Sequence, residues 1–222
     1  MNTENPDWQE IAHQLRKPDG EMGLKVAENM HKSNIEMTRA AIKGLELQPG
    51  DKVLEIGHGS AMHVQELFMQ QPDIHYTGLE ISNLMHTEAQ KNNAEAMKTG
   101  QAEFFTYDGI QLPIAQNSLS KIFSVNTIYF WEDAEDFSRQ LFASLANEGM
   151  LSLAFAEQKF MKQLPFVQYG FQTYEMEDVI SLLEQVGFIK HSISNQEDLF
   201  PSNTGEPIKR PFSLVVMKKG LD

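Results

Sequence analysis

The chain has 222 residues, 41% hydrophobic and 22% charged, the balance of a globular domain rather than a disordered segment. At roughly 150 residues per domain it reads as a single domain, 1–222, whose core is large enough to need no disulfide or metal staple. A net charge of −13 with no local basic patch repels phosphate backbones and excludes a nucleic-acid partner, while zero cysteines exclude disulfides, thiolate zinc and a cysteine nucleophile.

The first seven residues carry neither a basic nor an apolar leader pattern, and no stretch approaches the ~18 apolar residues of a membrane span. The expectation is a cytoplasmic protein without integral membrane association, monomeric or homodimeric. Two helical stretches, 8–16 and 27–44, come first and are expected to cap the rest, with 1–46 as the cap and 47–222 as the core. Pro49-Gly50 is a turn signal before the first strand, 51–56. A helix follows over 60–70, with Met62, Leu67 and Phe68 at helical spacing. The second strand is 74–79, and the next helix covers 82–98 with Ser82 as N-cap. Strands at 103–107 and 121–125 precede a helix over 133–146 that Glu148-Gly149 ends. Asp133 is its N-cap, and the acids around it suit the positive end of the helix dipole. A fifth strand at 150–156, a helix over 175–186 stopped at Gly187, and strands at 188–194 and 212–217 complete the chain. This alternation predicts an α/β class, doubly wound around a mostly parallel seven-stranded sheet. The last two strands are joined only by the loop 195–210, so the last one is antiparallel.

Chemistry concentrates in Val53-Leu54-Glu55-Ile56-Gly57-His58-Gly59-Ser60-Ala61. A Gly-x-Gly turn that leaves a strand and opens a helix lets a ligand approach the backbone beside the helix N-terminus. The dinucleotide version needs a third glycine where this chain has Met62. Glu55 would also repel a pyrophosphate and attract a cationic ligand.

The segment Glu55 to Ala61 resembles the first motif of class I S-adenosylmethionine-dependent methyltransferases, an acid-x-Gly-x-Gly-x-Gly pattern. Tyr76-Thr77-Gly78-Leu79-Glu80-Ile81-Ser82 is similar to their second-strand motif, whose terminal acid holds both ribose hydroxyls. Tyr107-Asp108-Gly109 is similar to the motif whose Asp receives the adenine amino group, and residues 145–151 resemble the family's helix-turn-strand segment. The likeness runs from about residue 27 to the end and is nearest to the small-molecule group containing quinone-biosynthesis and phospholipid-amine methyltransferases. Ala61 stands where the family has its third glycine. The resemblance implies a Rossmann-like fold, S-adenosylmethionine as cofactor and a small-molecule methyl acceptor. It also implies a cofactor site made of Glu55, Gly57, His58, Gly59, Ser60, Glu80, Ile81, Tyr107, Asp108, Gly109 and Asn126.

The acceptor is less legible. Asn126, Tyr129 and Trp131 either line an aromatic pocket or lie beneath the next helix. The Asn-x-x-Tyr spacing lacks the two prolines of enzymes that methylate amino groups on bases or glutamine. His31, Asn34 and Thr38 lie on a helix that folds over the cofactor in related enzymes. If the acceptor must lose a proton, His31, His58 and Tyr129 are the candidate catalytic bases. No histidine pair has metal-ligand spacing, so no metal is expected. The aromatic residues of 160–174 and 195–210 are candidates for shaping an apolar acceptor site. A non-catalytic S-adenosylmethionine-binding protein and an NAD-dependent oxidoreductase are the alternatives.

Overall fold

The computed structural model describes residues 6–200 and 208–221. Helices α1 (Trp8–Arg16) and α2 (Gly20–Gly44) precede β1 (Asp51–Ile56), α3 (Val64–Gln70), β2 (Ile74–Glu80), α4 (Asn83–Asn92), α5 (Ala94–Lys98) and β3 (Ala102–Thr106). Next come β4 (Leu119–Val125), a single 3-10 turn (Ile128–Phe130), α6 (Ala134–Ser144), β5 (Leu145–Ala156) and α7 (Gln158–Met161). Helix α8 (Met176–Val186), β6 (Phe188–Phe200) and β7 (Ile208–Lys219) finish the fold.

The strands form one sheet in the order β3-β2-β1-β4-β5-β7-β6. The first five pair in parallel, and β7 runs antiparallel between β5 and β6. This is the Rossmann-like, mostly parallel architecture with an antiparallel last strand. Strand β1 lies inside the sheet between β2 and β4 and exposes only Lys52, as a parallel strand covered on both faces should. Successive residues of the central strands feed two apolar layers. Leu54, Ile122 and Leu153 join Leu141 of α6 and Leu183 of α8, while Val53 and Phe123 join Met37 and Ile42 of α2. The second half of α2 is therefore a layer of the core.

Local chemistry explains most boundaries. Asp133 caps α6 by accepting from the Asp136 N–H at 2.9 Å, and Ser82 caps α4 by accepting from the Met85 N–H at 3.2 Å. Gly187 ends α8 at φ +115°. Five expectations change. Helix α3 starts at Val64 rather than at residue 60, because Gly59 (φ +56°) and Ala61 (φ +51°) are left-handed and cannot carry a right-handed helix. The predicted helix 82–98 breaks at Asn93, whose Nδ2 donates to Ala61 O and Ala89 O at 3.0 Å each. Helix α2 begins at Gly20, seven residues before the predicted start, and α6 gives way to β5 at Leu145, which pairs with Leu119. Of the predicted loop 195–210, residues 195–200 and 208–210 are ladder, with Asn195 opposite Ser213 and Phe200 opposite Ile208, while residues 201–207 lie outside the described residues. Its polar run reads as a loop because β6 is an edge strand exposed along most of its length. No helix among the described residues is long and apolar enough to cross a membrane.

Candidate functional site

A cavity opens at the C-terminal ends of β1, β2 and β4, where open parallel sheets bind ligands. Its floor is the glycine turn. At Gly57 (φ +73°) an added Cβ would run into Cγ2 of Thr127, so the backbone approaches the end of β4 more closely than any side chain allows. The turn is clipped to β2 by Glu80, which is 5% exposed. Its Oε2 accepts from the Gly59 N–H at 3.0 Å, and its Oε1 accepts from Ile81 at 2.8 Å and Ser82 at 3.0 Å. Burial pushes the Glu80 carboxyl upward, against the lowering by these three donors.

Beyond β3, Oδ1 of Asp108 accepts from the Ile110 and Gln111 N–H groups at 2.8 Å each, which holds its carboxyl below the ordinary carboxylate range. Its other oxygen has no partner among the described residues. Burial, with Glu80 and Asp108 nearby, pushes the Tyr107 phenol well up, so it stays neutral. Ile81 and Gly109 complete this side of the lining, and Ser60 continues the glycine turn.

Glu55 reaches the cavity already engaged. Its Oε2 accepts from the Tyr76 hydroxyl at 2.5 Å and lies 2.8 Å from Nε2 of His63. Burial alone would lower the His63 pKa, but the charge and hydrogen bond of Glu55, helped by Glu66, make the net shift upward. Nothing in the sequence signals this partnership, since His63 falls in a segment read as plain helix.

The three candidate bases separate. His31, half-buried on α2, lines the cavity, and burial followed by the neighbouring His63 holds it below the ordinary histidine range. His58 is removed from the list of bases. Its ring sits against Gly78 and edge-on to Phe104 at 5.1 Å, its Nδ1 lies 2.7 Å from Gly59 O, and its buried Nε2 has no partner among the described residues. Tyr129 is removed as well. It is 2% exposed, lies outside the cavity lining and donates its hydroxyl to Asn126 Oδ1 (2.9 Å) or Ala156 O (3.1 Å). Burial raises this phenol far above the range of a base. Its role is to hold Asn126, a left-handed residue at φ +57° that does line the cavity.

His58 has a measurable effect on stability. Burial drops its pKa from 6.5 to about 4, so between those values the unfolded chain binds a proton that the folded chain refuses. Stability is then lost as the pH falls through that window, by about 3 kcal/mol from this group. Chemical denaturation from pH 7 to 4 should show a shallower acid limb for His58→Leu than for the wild type, and an equally steep one would contradict the assignment.

Helices α1 and α2 form the remaining wall through Leu15, Arg16, Met30, Asn34 and Thr38, facing Phe130, Trp131 and Glu132. Arg16 and Glu132 pair at 3.6 Å across the mouth. Trp131 is 3% exposed, and its buried Nε1–H has no partner among the described residues. The aromatic residues of 160–174 take the packing alternative, with Phe171 on Phe130 at 4.6 Å and Phe166 at 5.5 Å, and none of them lines the cavity. Among the described residues, exposed Glu10, His13 and Asp19 bring ligand-type atoms within 4.8 Å of one another. None of the three lines the cavity, and both carboxylates already accept from Gln14.

Comparison with known proteins places this cavity in context. Residues 53–149 match the methyltransferase domain family. The chain is 23% identical over 125 residues to the uncharacterized methyltransferase YdaC of Bacillus subtilis (strain 168), covering 56% of this chain and 66% of that protein. It is 27% identical over 97 residues to an O-methyltransferase of Pyrenophora dematioidea, covering 44% of this chain and 36% of that one. The chain thus spans less than two thirds of the length of these relatives. In fold it is similar to a chain from the complex between the Haloferax volcanii Trm112 methyltransferase activator and a methyltransferase. That match has a TM-score of 0.74 at 15% identity and covers 99% of this chain and 100% of the other.

Proposed function

We propose, from the premise that this chain belongs by domain and fold to the class I S-adenosylmethionine-dependent methyltransferases, that it methylates a small-molecule acceptor in this cavity. The observation that carries the reading is Glu80, a buried carboxylate in the cavity lining that joins the glycine turn to the end of β2. Its remaining lone pairs suit the two ribose hydroxyls. Asp108, with one oxygen free, suits the adenine amino group between Ile81, Tyr107 and Gly109. The backbone of Gly57, His58, Gly59 and Ser60 suits close approach of the rest of the cofactor, with Glu55 and Asn126 beside it. Gly57 lets this turn press against Thr127, which also lines the cavity, more closely than any residue with a Cβ could.

Bound there, S-adenosylmethionine supplies a methyl group made electrophilic by its sulfonium. The chain's share is positioning and exclusion of water by α1, α2 and the Phe130–Glu132 segment. His31, which lines the cavity, is the remaining base. The NAD-dependent alternative is disfavoured by Met62 at the third-glycine position and by Glu55 in the lining.

Calorimetric titration with S-adenosylmethionine, S-adenosylhomocysteine and NAD in parallel tests the reading. The first two should bind and NAD should not. Glu80→Ala should weaken S-adenosylmethionine by about 1.5–3 kcal/mol through lost charge-assisted hydrogen bonds. Binding of NAD alone, or full affinity in a folded Glu80→Ala protein, would remove the assignment.

A further inference from the structure

Glu55, His63 and His31 form a row of ionisable groups in the cavity lining. Glu55 lies 2.8 Å from Nε2 of His63, and the His63 ring is nearly parallel to that of His31, with centroids 6.5 Å and planes 22° apart. The other titratable groups facing the two rings are Glu66 from α3, Lys32 and Arg39 from α2, and the buried His58 of the glycine turn. Arg39 grips Glu66 through two bonds of 2.8 Å, so these opposite charges largely cancel. Glu55 directs the first proton to His63, because the carboxylate touches that ring and not His31. Two charged rings this close in a poorly hydrated wall repel each other, so His31 takes its proton last.

Resting on the methyl-transfer reading above, we propose that the cavity carries one mobile positive charge at a time, on the ligand's sulfonium before transfer and on His31 after it. The acceptor atom forms a bond to the methyl carbon, and the carbon–sulfur bond breaks with its electron pair left on sulfur. The proton that the acceptor loses passes to a ring nitrogen of His31. His31 gains a charge as the ligand's sulfur loses one, so the fixed field of Glu55, Glu80 and Asp108 has the same total to balance on both sides of the step. The acceptor class this requires is protic, carrying an O–H, S–H or N–H at the methylated atom. His63 acts as a positioning residue that keeps His31 free of its proton beforehand.

The test needs no acceptor. The full chain is titrated calorimetrically with S-adenosylmethionine and S-adenosylhomocysteine at pH 5.0 and 7.0, below the range in which an α-amino group titrates. As the pH rises, the ratio of the two dissociation constants should move at least threefold toward the charged ligand. H31Q should lose that shift while still binding both ligands. NMR of the ligand-free protein should show His31 titrating below His63, and the His31 midpoint should rise in H63Q. A ratio independent of pH, a shift that persists in H31Q, or the reverse titration order would each overturn the proposal. The titration order is read in the wild type, so it stands even if H63Q does not fold. Silence from both ligands at both pH values would instead remove the methyltransferase reading on which the proposal rests.

Discussion

Gly57→Ala is expected to lower the unfolding free energy by about 2–5 kcal/mol and to abolish binding of S-adenosylmethionine. Two costs combine. Gly57 sits at φ +73°, where a side chain costs roughly 1–2 kcal/mol. Its new Cβ would also collide with Cγ2 of Thr127, an overpacking cost of about 1–3 kcal/mol. Thr127 has little room to yield, since its hydroxyl is 2.5 Å from that of Ser124, which donates to Ile56 O at 2.7 Å. In a domain of this size the melting temperature should drop by about 5–15 °C. Adding Thr127→Ser removes the colliding methyl and keeps the hydroxyl, so the double variant should recover the steric share and retain the backbone strain. A single variant that melts within about 2 °C of the wild type would show that the turn relaxes freely.

Asp198→Ala is expected to cost about 3–5 kcal/mol, measured by urea unfolding, the largest loss foreseen for a residue outside the cavity. Arg210 is 3% exposed and meets Asp198 through two bonds, Nε to Oδ1 at 3.0 Å and Nη2 to Oδ2 at 2.6 Å. The same guanidinium donates to Asn34 Oδ1 at 2.9 Å and Ser33 O at 2.6 Å, both on α2. Removing the carboxylate leaves a buried charge with only neutral partners. Replacing both members by apolar residues, Asp198→Leu with Arg210→Met, removes that charge and should cost much less than the single change. Additive losses would show that the pair acts as two independent residues. Because Asn34 lines the cavity and His31 lies on the same helix, the single variant should also weaken cofactor binding.

These two sites differ in how far the sequence reveals them. The turn around Gly57 is legible because a Gly-x-Gly after an apolar strand has few physical uses, and Glu80 and Asp108 follow at the ends of the next two strands. The ion pair is not legible. Asp198 lies in a polar run that looks like a loop, and its partner comes from the neighbouring strand across a hairpin. The cavity shows the same division. Glu55 is evident as the acid at the end of β1, but its engagement by Tyr76 and His63 needs the register of β2 and the course of the turn. His58 misleads for a related reason. Its backbone belongs to the turn, but the space above Gly78 takes its ring into the core.

By itself, the sequence determined the order of strands and helices, the N-caps at Ser82 and Asp133, the glycine turn and the acids at the strand ends. All of these depend on residues close in the chain, through periodicity, capping and the conformational freedom of glycine. Only the tertiary structure decided which histidine meets Glu55, which base faces the cavity, and which residues tie α2 to β7. Those contacts join residues far apart in the chain, and whether a titratable group is buried, paired or free depends on neighbours that the local pattern does not contain.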